Sequence, residues 1–388
     1  MKTSKLTIKL AILFYSLVQI GTICISSVLA KIAELFPQYS ATTIQFLATC
    51  PCLVIILMAL LTGKLAEFVA KKYLALFSSS MFIVTAIGGF FFHQSLFILY
   101  VWEVTLGIGI GILVSLGTSL ITDYFDGEER KSIMGLQSAV ISIGGVLLSL
   151  FGGLLATISW YYNYLTFLLI IPGFLLLWIG LPVNRPLHAK KSGVRVRVTA
   201  RVVIVYGVTA FLFMLLFNVI PTNLAMHLKD TGIYGSVNAG IASAVLMLSG
   251  VPAGLLYKSL AKLLGERVIA LGFFNLALGS FITALSGRYI LILIGVFIAG
   301  FSLSLVMAQT VVSIAEKEHA EAVTMSISFN MAINNLGSFL SPYFTKLARM
   351  VLHNDLAVSR YLIVSVVAFL IAVILFLGLK NHRKTATI

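Results

Sequence analysis

The sequence predicts an all-α, polytopic membrane protein with twelve transmembrane helices in two six-helix halves. Three observations carry this. Of 388 residues, 60% are hydrophobic and 10% charged, with a mean hydropathy of +1.06, whereas a soluble domain carries about 25% charge. The apolar residues fall into runs close to the ~20 residues that a spanning helix needs. The basic residues sit in the connections between those runs. A net charge of +14 suggests a nucleic-acid partner only when it is gathered on a folded basic surface. Here it is scattered over short turns, so no nucleic acid is expected.

Taken in order, the runs lie at roughly 8–30, 44–62, 73–92, 95–121, 132–157, 162–182, 201–223, 236–257, 267–286, 289–314, 321–346 and 359–379. The first, from Ile8 to Ala30, is too long for the core of a signal peptide and lacks a clear cleavage site, so it reads as a retained span. Ser159 to Tyr162 and Gly287-Arg288 are very short turns. With both termini in the cytoplasm, 21 of the 27 Lys and Arg residues fall on the cytoplasmic side and 6 outside, the bias expected of cytoplasmic loops. A multi-pass cell-membrane protein with cytoplasmic termini is therefore expected. The longest polar connection, Val183 to Arg201, carries Arg185, Lys190, Lys191, Arg195 and Arg197. It separates bundles at 1–182 and 201–388, with a cytoplasmic linker at 183–200. Cys50-Pro51-Cys52 has no histidine nearby and makes a poor metal site; Cys24 reads as core filling. No metal or cofactor is expected.

Among residues inside spans, Glu103 stands out. Eight residues of helix from Ser95 put it about 12 Å deep, where an acid costs on the order of 3 kcal/mol. It should therefore face protein or a water-filled cavity, and burial makes reversible protonation feasible near neutral pH. Gly107 and Gly111 share its helix face, which lets a neighbouring helix pack closely. The other polar residues in spans are neutral: Gln19, Asn218, Asn223, Gln309, Asn330, Asn334 and Asn335. Asn330 and Asn334 lie four apart on one face. Such amides either bind a substrate or bridge helices. With Trp102, they are the candidate lining of a substrate cavity. His93, His227, His319 and His353 lie near span ends or in loops and receive no site. There is no phosphate loop for ATP and no nucleophile beside a histidine base, so an enzyme is not expected.

The turn Gly63-Lys64-Leu65-Ala66-Glu67-Phe68-Val69-Ala70-Lys71-Lys72 resembles the loop between spans two and three of the major facilitator superfamily, Gly-x-Leu-Ala-Asp-Arg-x-Gly-Arg-Lys. Gly63, Leu65, Ala66, Lys71 and Lys72 fit; Glu67, Phe68 and Ala70 replace Asp, Arg and Gly. In the family this loop is a latch between the two halves. A small residue at 63 would let two helix ends approach, and Glu67 would meet the positive end of a helix. The run from Asp123 through Asp126 and Arg130 resembles the family's entry to span five, with Arg130 set to meet Glu67 or Asp123. These residues, with Gly63, Lys71 and Lys72, are the candidate cytoplasmic gate. Gly254-Leu255-Leu256, followed by Lys258, Lys262 and Arg267, echoes the opening turn between spans eight and nine.

Span four resembles Arg-x-x-x-Gly-x-Gly-x-Gly, with Glu103 in the arginine's place. Span five, from Gly144-Gly145 to Gly152-Gly153, resembles the glycine-rich motif of the family's antiporters, with Leu148-Ser149 where Gly-Pro is usual. Asn335 to Pro342 resembles a span-eleven run of many members. The chain is similar to the drug/proton antiporters and putative arabinose-efflux permeases of that family. The resemblance implies a monomer in the bilayer that exports a small organic molecule by alternating access, the two halves rocking around a central site, with protons as the coupling ion and Glu103 as the acid that carries them. Proton-linked or facilitated uptake of a neutral nutrient is the alternative, and a non-transporting receptor is the alternative from another class.

Overall fold

The computed structural model describes residues 5–183, 199–319, 322–352 and 357–378, and every regular element among them is helical. The spans are α1 (Lys5–Ser27), α2 (Ala41–Leu65), α3 (Lys71–Phe91), α4 (Leu96–Tyr124), α5 (Gly127–Leu155), α6 (Trp160–Gly180) and α7 (Arg201–Asp230). There follow α8 (Ser236–Leu248, continuing as Gly250–Leu264), α9 (Val268–Leu285), α10 (Tyr289–Lys317), α11 (Val323–Leu352) and α12 (Ala357–Gly378). All but α11, the most polar, are identified as long and apolar enough to cross a membrane, α8 and α9 as one continuous stretch. The connection bearing Arg185, Lys190, Lys191, Arg195 and Arg197 lies outside the described residues.

Several helices overrun the predicted runs. The fifth run was expected from 132, but α5 starts at Gly127, with Asp126 at its N-cap and Glu128 and Glu129 in its first turn. Acids there suit the positive end of the helix dipole, so the helix extends into charged sequence that a hydropathy run excludes. At the start of α2, the Ser40 Oγ accepts from the Thr43 backbone N–H at 3.2 Å, a serine cap that satisfies an orphan donor.

Two spans change winding partway, and a third is interrupted. α1 is α-helical over Lys5–Ser16 and a 3-10 helix over Gly21–Ser27. α6 opens as a 3-10 helix, Trp160–Ile170, and becomes α-helical at Ile171–Gly180 with Pro172 in the first turn. α7 is divided at Asn218 into Ala200–Phe217 and Val219–Asp230.

By contact the chain falls into two compact units, Met1–Gly193 with Gly235–Ala244, and Val194–Tyr234 with Val245–Ile388. The start of α8 thus groups with the first unit, where Gly240 lies against Gly153 of α5. In the first unit a Cβ at Gly107 or Gly111 would press on Pro51, Val54, Ile55 and Met58, so α4 lies tight on α2. Gly144 of α5 leaves room for the Leu17 carbonyl where α1 loosens. In the second unit Gly337 of α11 leaves room for the Phe211 carbonyl of α7, and Gly279 and Gly295 bring α9 and α10 together. Backbone approach of this kind is how helices pack where no hydrophobic effect drives them.

Candidate functional site

Glu103 is fully buried, 0% exposed, on the face of α4 that carries Gly107 and meets α2. The Tyr164 hydroxyl of α6 donates to its Oε1 at 3.4 Å, and its Oε2 has no partner among the described residues. The thiols of Cys24 on α1 and Cys50 on α2 lie within electrostatic reach of the carboxyl. The Tyr164 ring sits where a side chain at Gly89 of α3 would be.

Asn163, next to Tyr164, is also fully buried. Its Nδ2 donates to the Cys24 carbonyl at 3.1 Å and to the Ser27 Oγ at 3.2 Å, and its Oδ1 accepts from the Cys24 thiol at 3.3 Å. One amide thereby clips α6 to the 3-10 part of α1. A Cβ at Gly152 of α5 would come within 2.7 Å of that amide. Of the sequence-predicted lining, Gln19 is half-buried where α1 loosens. Trp102 turns to α3 instead, its indole over Gly88 and its Nε1 donating to the Phe92 carbonyl at 2.8 Å.

At the end of the first unit that holds the α2–α3 turn, Lys71 binds both Asp123 oxygens, at 2.7 and 3.0 Å, and the Ser119 hydroxyl at 2.6 Å. Lys72 donates to the Trp178 carbonyl of α6 at 2.7 Å. Two expectations are corrected here. Arg130 reaches neither Glu67 nor Asp123; it donates to Asp126 one helical turn back and to the Phe125 and Thr122 carbonyls. Asp126 is its i, i+4 neighbour and needs no approach of another helix, and Asp123 is held by Lys71. Open space surrounds Gly63, where a Cβ would meet nothing within 4 Å, so no close approach there requires glycine. Glu67 is exposed, with no partner among the described residues.

The second unit has matching contacts that the sequence reading missed. Glu266, just before α9, pairs with Lys317 at the end of α10 at 2.5 Å, and the Lys317 ammonium lies over the Tyr206 ring. Glu318 accepts from the Thr199 N–H and hydroxyl, the His319 N–H and the Ser326 hydroxyl. Its carboxyl is held below the usual glutamate range, chiefly by the Thr199 hydroxyl. Glu318 thus ties the start of α7 to the end of α10 and the start of α11.

The amides of this unit do different things. Gln309 accepts from the Tyr257 hydroxyl and donates to Ser313, a bridge from α10 to α8. Asn218, at the division of α7, donates to Ser338 of α11 at 2.9 Å. Asn223 accepts from the Arg360 guanidinium. Only on α11 do buried amide atoms lack a partner among the described residues: Asn330 Nδ2, a donor, and one turn on, Asn334 Oδ1, an acceptor. Arg360 corrects the expectation that the polar residues in spans other than Glu103 are neutral. It is 4% exposed at the start of α12. His227, placed by sequence at a span end, is fully buried, on the Thr283 carbonyl and the Tyr361 ring.

With this geometry in hand, comparison is informative. The family model described as Major Facilitator Superfamily matches residues 11–342, most of the chain. The chain belongs to the Major Facilitator Superfamily. As in other superfamily members, it is a membrane transporter and not an enzyme. Among solved structures it is similar to the xylose transporter XylE from E. coli in its inward-open conformation (TM-score 0.75, 14% identity, 98% of this chain and 96% of that one). A D-xylose-proton symporter (TM-score 0.73, 17% identity, 97% and 98%) and a bacterial homolog of the human lysosomal transporter Spinster (TM-score 0.71, 16% identity, 96% and 95%) are similar too. At these identities the likeness speaks for the superfamily fold alone. By sequence, Protein TsgA of Escherichia coli O9:H4 (strain HS) is 30% identical over 112 residues, 28% of each chain. The TsgA homolog of Buchnera aphidicola is 27% identical over 113 residues, 29% of each. The matched stretch spans under a third of these relatives.

Proposed function

We propose that this superfamily member exports a small, uncharged or cationic organic molecule from the cell across the plasma membrane, in exchange for protons, with Glu103 as the residue that carries the proton. The observation that carries the reading is the Glu103 carboxyl itself. It is sealed from solvent, bound at one oxygen by a single long hydrogen bond and free of a partner at the other. A group so sparsely held can take up and release a proton without dismantling a network. The substrate class follows from Asn330 Nδ2 and Asn334 Oδ1, a donor and an acceptor one turn apart that a hydroxyl, amide or amine could satisfy. Antiport is supported by the glycines of α5 and their fit around α1 and α8. Proton-linked uptake is the second reading, favoured by Leu148-Ser149 in the place of the antiporters' Gly-Pro and by an acid where the span-four arginine is usual.

The test is flux of candidate solutes in oriented membrane vesicles with an imposed pH gradient. Antiport predicts that substrate moves against an opposed proton flow, and that Glu103→Gln makes flux indifferent to the gradient. Flux along with protons would replace export by uptake. Flux that ignores the gradient in the unaltered protein would overturn proton coupling, and binding without movement would mean a receptor.

A further inference from the structure

Glu103 and the 3-10 part of α1 share no hydrogen bond among the described residues, yet two consecutive residues of α6 reach both. Tyr164 binds Glu103; Asn163 binds Cys24 and Ser27 with both ends of its amide. All five side chains are buried to 3% exposure or less. The packing around them is close, with Gly89 under the Tyr164 ring and Gly152 against Asn163, so a shift of one residue is felt by its neighbour. Charge on Glu103 alters the pull on Tyr164: a hydroxyl held by a carboxylate sits at about 2.5–2.7 Å and binds roughly twice as strongly as in a neutral pair. The 3.4 Å separation here is that of a weak bond, and closing it moves the ring and the helix that bears it.

We infer that Tyr164 and Asn163 are positioning residues that pass the protonation state of Glu103 to the 3-10 segment of α1. This rests on the reading of Glu103 as the proton site. Loss of the proton draws Tyr164 inward, Asn163 moves with it, and the Cys24–Ser27 turn follows. The titratable groups that face the carboxyl from the packed helices are Tyr164 on α6, Cys24 on α1 and Cys50 on α2; α3 contributes glycine.

Hydrogen–deuterium exchange on the full-length protein in detergent reads this directly. After correction for the intrinsic pH effect, exchange over residues 21–27 should differ by about fivefold between roughly pH 6 and pH 8, the difference between a neutral and a charge-assisted hydrogen bond. Glu103→Gln and Tyr164→Phe should each flatten that response. Ser27→Ala, which removes one acceptor of the Asn163 amide from the far side, should reduce it. Tyr164→Phe deletes a single hydroxyl, and its melting temperature in detergent is the check on folding. If the response is lost in Glu103→Gln but intact in folded Tyr164→Phe, the relay is wrong and the proton site stands. If exchange is flat with pH in the unaltered protein while Glu103→Gln abolishes gradient-driven flux, the relay is also overturned. If Glu103→Gln changes neither exchange nor flux, the proton reading fails along with it.

Discussion

In the first unit a lysine opens α3 and an aspartate closes α4; in the second a glutamate precedes α9 and a lysine closes α10. The Lys71–Asp123 and Glu266–Lys317 pairs occupy corresponding places with opposite polarity. Helix dipoles make the two orders unequal. Negative charge is favoured at a helix start and positive charge at its end. The second unit obeys this at both ends and the first opposes it at both. Among the described residues, the charge most deeply buried within a span is an acid in the first unit, Glu103, and a base in the second, Arg360. Glu103 is held by one long hydrogen bond, whereas Arg360 sits firmly on Asn223 and Met226. The second unit thus holds its charges in agreement with its helix dipoles and its buried base firmly, whereas the first opposes its dipoles and holds its buried acid by one weak bond.

The strongest way to break this contrast is to remove the two buried charges separately. Arg360→Met should destabilise the solubilised protein by about 1.5–3 kcal/mol, the worth of a hydrogen bond to a charged group, seen as a lower melting temperature. Glu103→Gln should leave stability nearly unchanged and alter only the pH response of transport. Equal losses in the two variants would erase the distinction. Next is Glu318. The Thr199 hydroxyl holds its folded carboxyl below the usual glutamate range, so its contribution to stability is present above the ordinary glutamate value and is lost as pH falls through the lower, folded one. Glu318→Gln should lower the melting temperature near neutral pH and remove this part of the decline on acidification. Unchanged melting curves in both ranges would deny the clasp its role.

Smaller, but more telling, are the charge swaps. Lys71→Glu with Asp123→Lys should stabilise the first unit by roughly 0.3–1 kcal/mol at each helix end at low salt, since the pair then agrees with the dipoles. Glu266→Lys with Lys317→Glu should lose a similar amount. Melting temperatures that move the same way in both would refute the dipole account. The smallest effect belongs to Lys5→Ala: the Lys5–Glu129 pair is 3.6 Å apart with side chains 75% and 50% exposed, so stability should change by about 1 kcal/mol or less.

The span pattern and Glu103 were legible because both follow from the free energy of single residues in lipid. A run of apolar side chains and an isolated acid need no knowledge of neighbours. Partners are a different matter. Arg130 pairs with Asp126, four residues back along its own chain, while Lys71, distant in sequence, holds Asp123. Trp102 went to α3 because Gly88 leaves a slot for its ring. Arg360, close to a predicted span end, gave no sign that it turns inward. The winding changes in α1 and α6 and the interruption of α7 also escaped notice, since apolar composition is blind to how tightly a helix is coiled.

That coiling has a mechanical side. Trp160–Ile170 puts 11 residues into 3-10 winding, which rises about 2.0 Å per residue against about 1.5 Å for the α form. The stretch is therefore roughly 5 Å longer than its relaxed coil would be. The same residues wound as an α-helix would bring the two ends of α6 closer by about one α-helical pitch, with no new residues required.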